Sequence, residues 1–156
     1  MKEIKAPNKF EKENSKKYIF LAGSIEMGAA EKWQEKLINE FIKEDNAVFL
    51  NPRRNDWNSS WKQDKENQNF REQVEWELNA MEVADLIVMY FVPGTISPIS
   101  LLEFGMWCKT NKIIVYCPEG FQRKGNVDIV CERYGTKQVS NWNEFINAIH
   151  NFLKDN

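Results

Sequence analysis

The run DLIVMYFV, residues 85–92, lacks any polar alternation, and this limits the fold more than any other stretch of the chain. A strand with one wet face alternates between polar and apolar side chains; a strand without alternation has to be covered on both faces. Similar runs occur at 18–24 (YIFLAGS), 47–52 (AVFLNP) and 112–118 (KIIVYCP). Between and after them lie segments of helical period. Ala30, Trp33, Leu37 and Phe41 predict a helix to about Glu44, and Phe70, Val74, Leu78 and Met81 predict another to Val83. Residues 97–107 predict a third, and Trp142, Phe145, Ile146, Ile149, Phe152 and Leu153 stripe a closing helix after a short strand at 137–139. Strands separated by helices imply right-handed crossovers, so the expected fold is α/β: a parallel sheet of about five strands with helices on both faces. Ligands of such sheets bind beyond the carboxyl ends of the strands, where the strand order reverses.

Length and composition narrow the class of function. A chain of 156 residues with 42% apolar content is one domain, expected over residues 18–156 behind a flexible, lysine-rich arm at 1–17. A net charge of −2 with interspersed signs excludes the basic field of a nucleic-acid binder. Three irregularly spaced cysteines, with no signal peptide or apolar run of spanning length, point to the cytoplasm and away from a membrane. The single histidine, His150, leaves His-based triads and metal sites without their parts, so no metal and no cofactor are expected.

The segment SPISLLEFGMW, 97–107, carries one carboxylate among mostly apolar side chains. Ser97 followed by Pro98 reads as an N-cap and first helical position, which places Glu103 in the second turn. Glu103 either forms a capping box with Ser100 or is held at a ligand site, since a carboxylate in apolar surroundings costs several kcal/mol unless compensated. Glu77 falls within the apolar arc of the preceding helix; it either pairs with Arg53 or Arg54 or faces the same site. Asp85, between a helix and a strand, reads as a turn-former. GSIEMG at 23–28 lacks the Lys-Ser/Thr of a phosphate loop and the G-x-G-x-x-G of a dinucleotide site, though backbone amides after Gly23 could hold a smaller polar group. The long polar loop at 53–68 is a candidate functional loop.

Six pieces in order resemble the nucleoside 2-deoxyribosyltransferase-like family: IFLAGSIE, Trp33-Gln34, NPRRNDW at 51–57, QVEWEL at 73–78, SPISLLEFG at 97–105 and RKGNVDIVCERYG at 123–135. The likeness runs from about Tyr18 to Gly135. It implies a flavodoxin-like three-layer sandwich, Glu103 as nucleophile, and Glu77 as the acid on the preceding helix, where better-known members carry aspartate. It also implies a homo-oligomer with shared active sites, in which Asn126 of a neighbouring subunit contacts the sugar 5′-hydroxyl. One departure is plain: those members place an aspartate shortly before the nucleophile, and here the segment reads GTISPIS.

Cleaving an N-glycosidic bond builds positive charge at C1′, which a poised carboxylate stabilises and can trap covalently. The expected reaction is transfer of 2-deoxyribose between nucleobases by a retaining double displacement, with Glu103 ionised at neutral pH. Hydrolysis of deoxynucleosides or their 5′-monophosphates is the alternative, and a non-catalytic nucleoside-binding module is the third. The expected partners are small: nucleosides and free bases. Asp56 or Glu77 would protonate the leaving base. Trp57 and Phe70 offer faces for stacking, Trp57 alternatively packing a lid. Gly23, Ser24 and Ser97 would line the substrate site at the strand ends. Arg123 would meet a 5′-phosphate if it faces the site and is otherwise part of a solvated turn.

Overall fold

The computed structural model describes residues 1–25, 30–58 and 60–155. Six strands form one all-parallel sheet: β1 (Lys2–Lys5), β2 (Lys17–Gly23), β3 (Ala47–Asn51), β4 (Leu86–Tyr90), β5 (Ile113–Tyr116) and β6 (Lys137–Val139), in the order β1-β3-β2-β4-β5-β6. Five helices connect or follow them: α1 (Trp33–Glu40), α2 (Gln68–Val83), α3 (Pro98–Trp107), α4 (Lys124–Tyr134) and α5 (Trp142–Lys154). This is the three-layer, flavodoxin-like α/β arrangement. β2, β3 and β4 are buried at every position after Lys17, as their unbroken apolar runs require.

Two cores lie on opposite faces of the sheet. Trp76, Ala80 and Met81 of α2, Phe104 and Cys108 of α3, and Val127 and Cys131 of α4 pack on one. Trp33, Leu37 and Ile38 of α1 pack with Phe145, Ile149 and Leu153 of α5 on the other. Each large side chain buried this way contributes about 1.5–3 kcal/mol. The chain steps from β2 outward to β3 and then back across β2 to β4, so strand order reverses between β2 and β4. The crevice at their carboxyl ends is where this architecture binds ligands.

The sixth strand comes from the segment expected to be a solvated arm. Lys2–Lys5 pairs with Val48–Asn51, and Ile4 and Ala6 are buried. Further along the same segment, Phe10 meets Trp76 edge-on at 5.8 Å, and the Trp76 indole N–H donates to the Asn8 carbonyl (2.9 Å). A single inward apolar residue in KEIK is too short a pattern to register as a strand.

The buried face of α2 also differs from the expected stripe. It is Gln73, Trp76, Ala80 and Met81, while Leu78 is exposed and Val74 and Phe70 are only partly covered. Trp76 offers more apolar surface than Leu78, and it turns the helix accordingly. Glu77 still falls on the inner arc, between Gln73 and Met81.

Candidate active site

The β2–β4 crevice begins with a close approach of two backbones. Gly23 pairs with Tyr90 at φ 135°, and a Cβ there would collide with the Tyr90 carbonyl. Only glycine fits both the dihedral and the space. Ser24 follows, fully buried, with its N–H on the Tyr90 carbonyl (3.0 Å) and its own carbonyl taking the Trp33 indole N–H (3.0 Å).

Three buried hydroxyls then join the strand ends to α3. Ser97 Oγ donates to Ser24 Oγ (2.6 Å), Ser24 Oγ lies 2.8 Å from Thr95 Oγ1, and Thr95 Oγ1 donates to the Val92 carbonyl (2.7 Å). Ser24 Oγ also accepts the Val92 N–H (2.9 Å). Ser97 precedes Pro98 as expected, but it does not cap the helix. Its backbone is left-handed (φ 45°, ψ 56°) and its hydroxyl is directed to Ser24 and to Thr95, 2.9 Å away. A left-handed serine costs of order 1 kcal/mol, which the hydroxyl cluster offsets. Ser24 and Ser97 thus serve as a latch between β2 and α3. The rest of the GSIEMG turn from Glu26 onward lies outside the described residues.

The latch sets the position of Glu103, which is 7% exposed in the second turn of α3. With the helix starting at Ser97, a Ser100 capping box is not formed. Burial pushes the Glu103 carboxyl up to about 8, and the charge of Glu77 adds to the shift. Burial raises Glu77 as well, to about 7, against a hydrogen bond from Gln73 that lowers it. Against the expectation that Glu103 is ionised at neutral pH, burial favours its neutral form. Both acids, one on α2 and one on α3, are thus raised chiefly by burial, which favours their neutral forms.

Neither arginine pairs with Glu77. Arg54, nearly buried, grips Asp56 with two bonds (2.8 and 3.0 Å) and reaches Glu72 at 3.4 Å, while Arg53 donates to the Ala30 carbonyl (3.0 Å). The Arg54 bonds hold the Asp56 carboxyl below its ordinary range, which favours its ionised form. Trp57 packs edge-on against Trp61 (5.3 Å), whose ring lies 5.0 Å from the Arg54 guanidinium. Phe70 stands partly buried in the first turn of α2, its N–H capped by Asn67 (3.1 Å). Arg123 and Asn126 stand exposed at the start of α4, and no contact joins them to Glu103 or Glu77 among the described residues.

Sequence reasoning gave no role to Gln73, Thr95 or Gln34. Gln73 lies one turn before Glu77, a spacing that could have revealed it; Thr95 carries no such signal. Gln34 is fully buried on α1 with neither amide atom paired among the described residues, which costs about 1–3 kcal/mol unless a ligand or water completes it. Among the described residues, no helix is long and apolar enough to cross a membrane.

A family model described as nucleoside 2-deoxyribosyltransferase like matches residues 16–121, more than half of the chain. The chain belongs to that family. The match spans the hydroxyl latch, Glu77 and Glu103 and stops before Arg123 and Asn126. No curated protein matches the chain. Family membership makes small nucleoside-type molecules the substrate class and glycosyl transfer the general chemistry.

Proposed function

We propose that this protein moves 2-deoxyribose between nucleobases by a retaining double displacement. The observation that carries the reading is the buried Glu103–Glu77 pair beside the switch point of a sheet of this family. In the active form one carboxyl is ionised and the other protonated. A Glu103 oxygen bonds to C1′ as the C1′–N bond breaks, and the bonding pair leaves with the base nitrogen. Glu77 delivers its proton to that base. A second base then attacks C1′ of the glutamyl ester, passes its proton to Glu77 and restores the pair. Charge developing at C1′ favours the anion on Glu103 once the sugar is bound, against the burial that favours its neutral form.

The functional unit we propose is a homo-oligomer. Ile99, Leu102 and Met106 lie at i, i+3 and i+7 on the outer face of α3, all exposed, with Ile96 beside them and Ile129 exposed on α4. A patch of this kind marks an interaction surface. Asn126 is three residues before Ile129 and so on the same side of α4, which suits a side chain donated to a neighbouring subunit. The buried free thiols of Cys108, Cys117 and Cys131 fit a cytoplasmic setting.

The deciding experiment incubates the protein with a 2′-deoxynucleoside, with and without a second free base, followed by chromatography. A new nucleoside is the expected product. Free base released without an acceptor makes the protein a hydrolase using the same glutamate, and no product at all leaves a binding module.

A further inference from the structure

Gln73 is 5% exposed on α2, and its Nε2 lies 2.8 Å from the Pro52 carbonyl and 2.8 Å from Glu77 Oε1. A main-chain carbonyl only accepts, so the atom facing Pro52 is the amide nitrogen and the orientation of the amide is assigned by chemistry. The nitrogen has two hydrogens, and these two contacts use both. Glu77 Oε1 therefore accepts, and a proton on Glu77 is favoured on Oε2, since the carbonyl oxygen of a carboxyl is the better acceptor.

We infer that Gln73 is the positioning residue of the acid: by occupying Oε1 it directs the proton of Glu77 to Oε2, the oxygen left to serve the departing base. The inference rests on the reading of Glu77 as that acid. It explains why an amide occupies a core-facing helix position where a Leu would pack at lower cost. Among the described residues no other donor to Glu77 is found. Glu103 on α3 is itself an acid and supplies no counter-charge; Pro52 contributes only a carbonyl; Arg53 is turned to the Ala30 carbonyl, and Arg54 is held by Asp56 and Glu72. A carboxyl without this bond could rotate and present either oxygen, or donate to the Pro52 carbonyl instead.

The test uses leaving groups that differ in their need for a proton. Gln73→Met keeps the length of the side chain and removes both bonds; Gln73→Asn keeps the amide but withdraws it by a methylene, and replaces Met if that variant does not fold. Each is assayed on 2′-deoxyguanosine and 7-methyl-2′-deoxyguanosine, or on 2′-deoxyuridine and its 5-nitro derivative, whichever pair the wild type turns over. The activated member of each pair departs without acid help. The kcat/KM on the ordinary substrate should fall about 10²-fold, the size of a lost general acid, with the activated substrate within about threefold of wild type. The basic limb of the pH profile should also move to higher pH, since the bond that favours ionised Glu77 is gone. Equal losses on both substrates would make Gln73 a merely structural tether and overturn the inference. Glu77→Gln, run alongside, separates the two claims. If it shows the leaving-group signature and the Gln73 variants do not, only the role of Gln73 fails; if it lacks the signature, the acid assignment itself fails.

Discussion

Glu103 on α3 lies within the field of Glu77 on α2, and both carboxyls sit on the same side of the sheet, beside the point where strand order reverses. Neither has an arginine or lysine partner among the described residues. Buried like-charge pairs without a counter-ion are unfavourable to folding and useful to catalysis, because they keep one proton available near neutral pH.

Replacing Glu103 by Gln should reduce turnover at least 10³-fold while leaving the fold intact. It should also stabilise the protein at alkaline pH. The folded-state value, about 8, exceeds the ordinary 4.5, so the wild type loses stability as pH rises from about 4.5 towards 8, and the amide does not. Urea unfolding should show the two proteins alike at pH 4 and the variant ahead by ~2 kcal/mol or more at pH 9. A variant no more stable than wild type at pH 9 would mean that Glu103 is solvated.

The pH dependence of kcat/KM should be a narrow bell. Activity needs one proton on the pair, so it rises as the first proton leaves and falls as the second does, with limbs belonging to the pair and a maximum between about 7 and about 8. A rate constant from pH 5 to 10 would exclude the single-proton form as the active one.

Gly23→Ala should destabilise the protein by ~2–4 kcal/mol, because the methyl group meets the Tyr90 carbonyl and the backbone leaves a glycine-only conformation. Thermal unfolding measures it. A loss under 0.5 kcal/mol would show that β2 and β4 can separate at this end.

Ser24→Ala should cost about 1–3 kcal/mol by leaving the Val92 N–H buried without its acceptor. Because the same hydroxyl anchors Ser97, kcat should fall as well. Stability loss with unchanged kcat would separate the latch from the placement of Glu103.

Leu102→Lys puts a charge into the exposed apolar stripe of α3, at a position 61% exposed where neighbouring Glu103 is buried. Light scattering should show a smaller species than wild type, with activity falling on dilution if Asn126 is shared. An unchanged mass would leave the patch to a different partner.

Much of this site was readable in the chain, and the failures have physical causes. Glu103 stood out because it is the one acid in an otherwise apolar helix, and Glu77 because helical period places it inward. The arc used for Glu77 counted Leu78 and Val74, yet burial follows Trp76 and Gln73, because patterns of hydrophobicity do not weigh the size of an indole or the bonds of a buried amide. Gln73 reads as a surface residue until its two acceptors are seen. Ser97 matched the N-cap pattern, but tertiary hydroxyl partners from β2 outcompeted the local cap. The edge strand β1 has too few apolar residues to announce itself, whereas the central strands, covered on both sides, could hardly be read otherwise.

The cluster of Ser24, Thr95 and Ser97 is made of neutral groups that do not titrate between pH 5 and 10. Acid and base can therefore change the charge on Glu103 while the hydroxyl anchorage at the start of its helix, α3, keeps its hydrogen bonds. The hydroxyl contacts between β2 and α3 thus carry no pH dependence of their own, so pH acts on this end of the sheet through the buried glutamates.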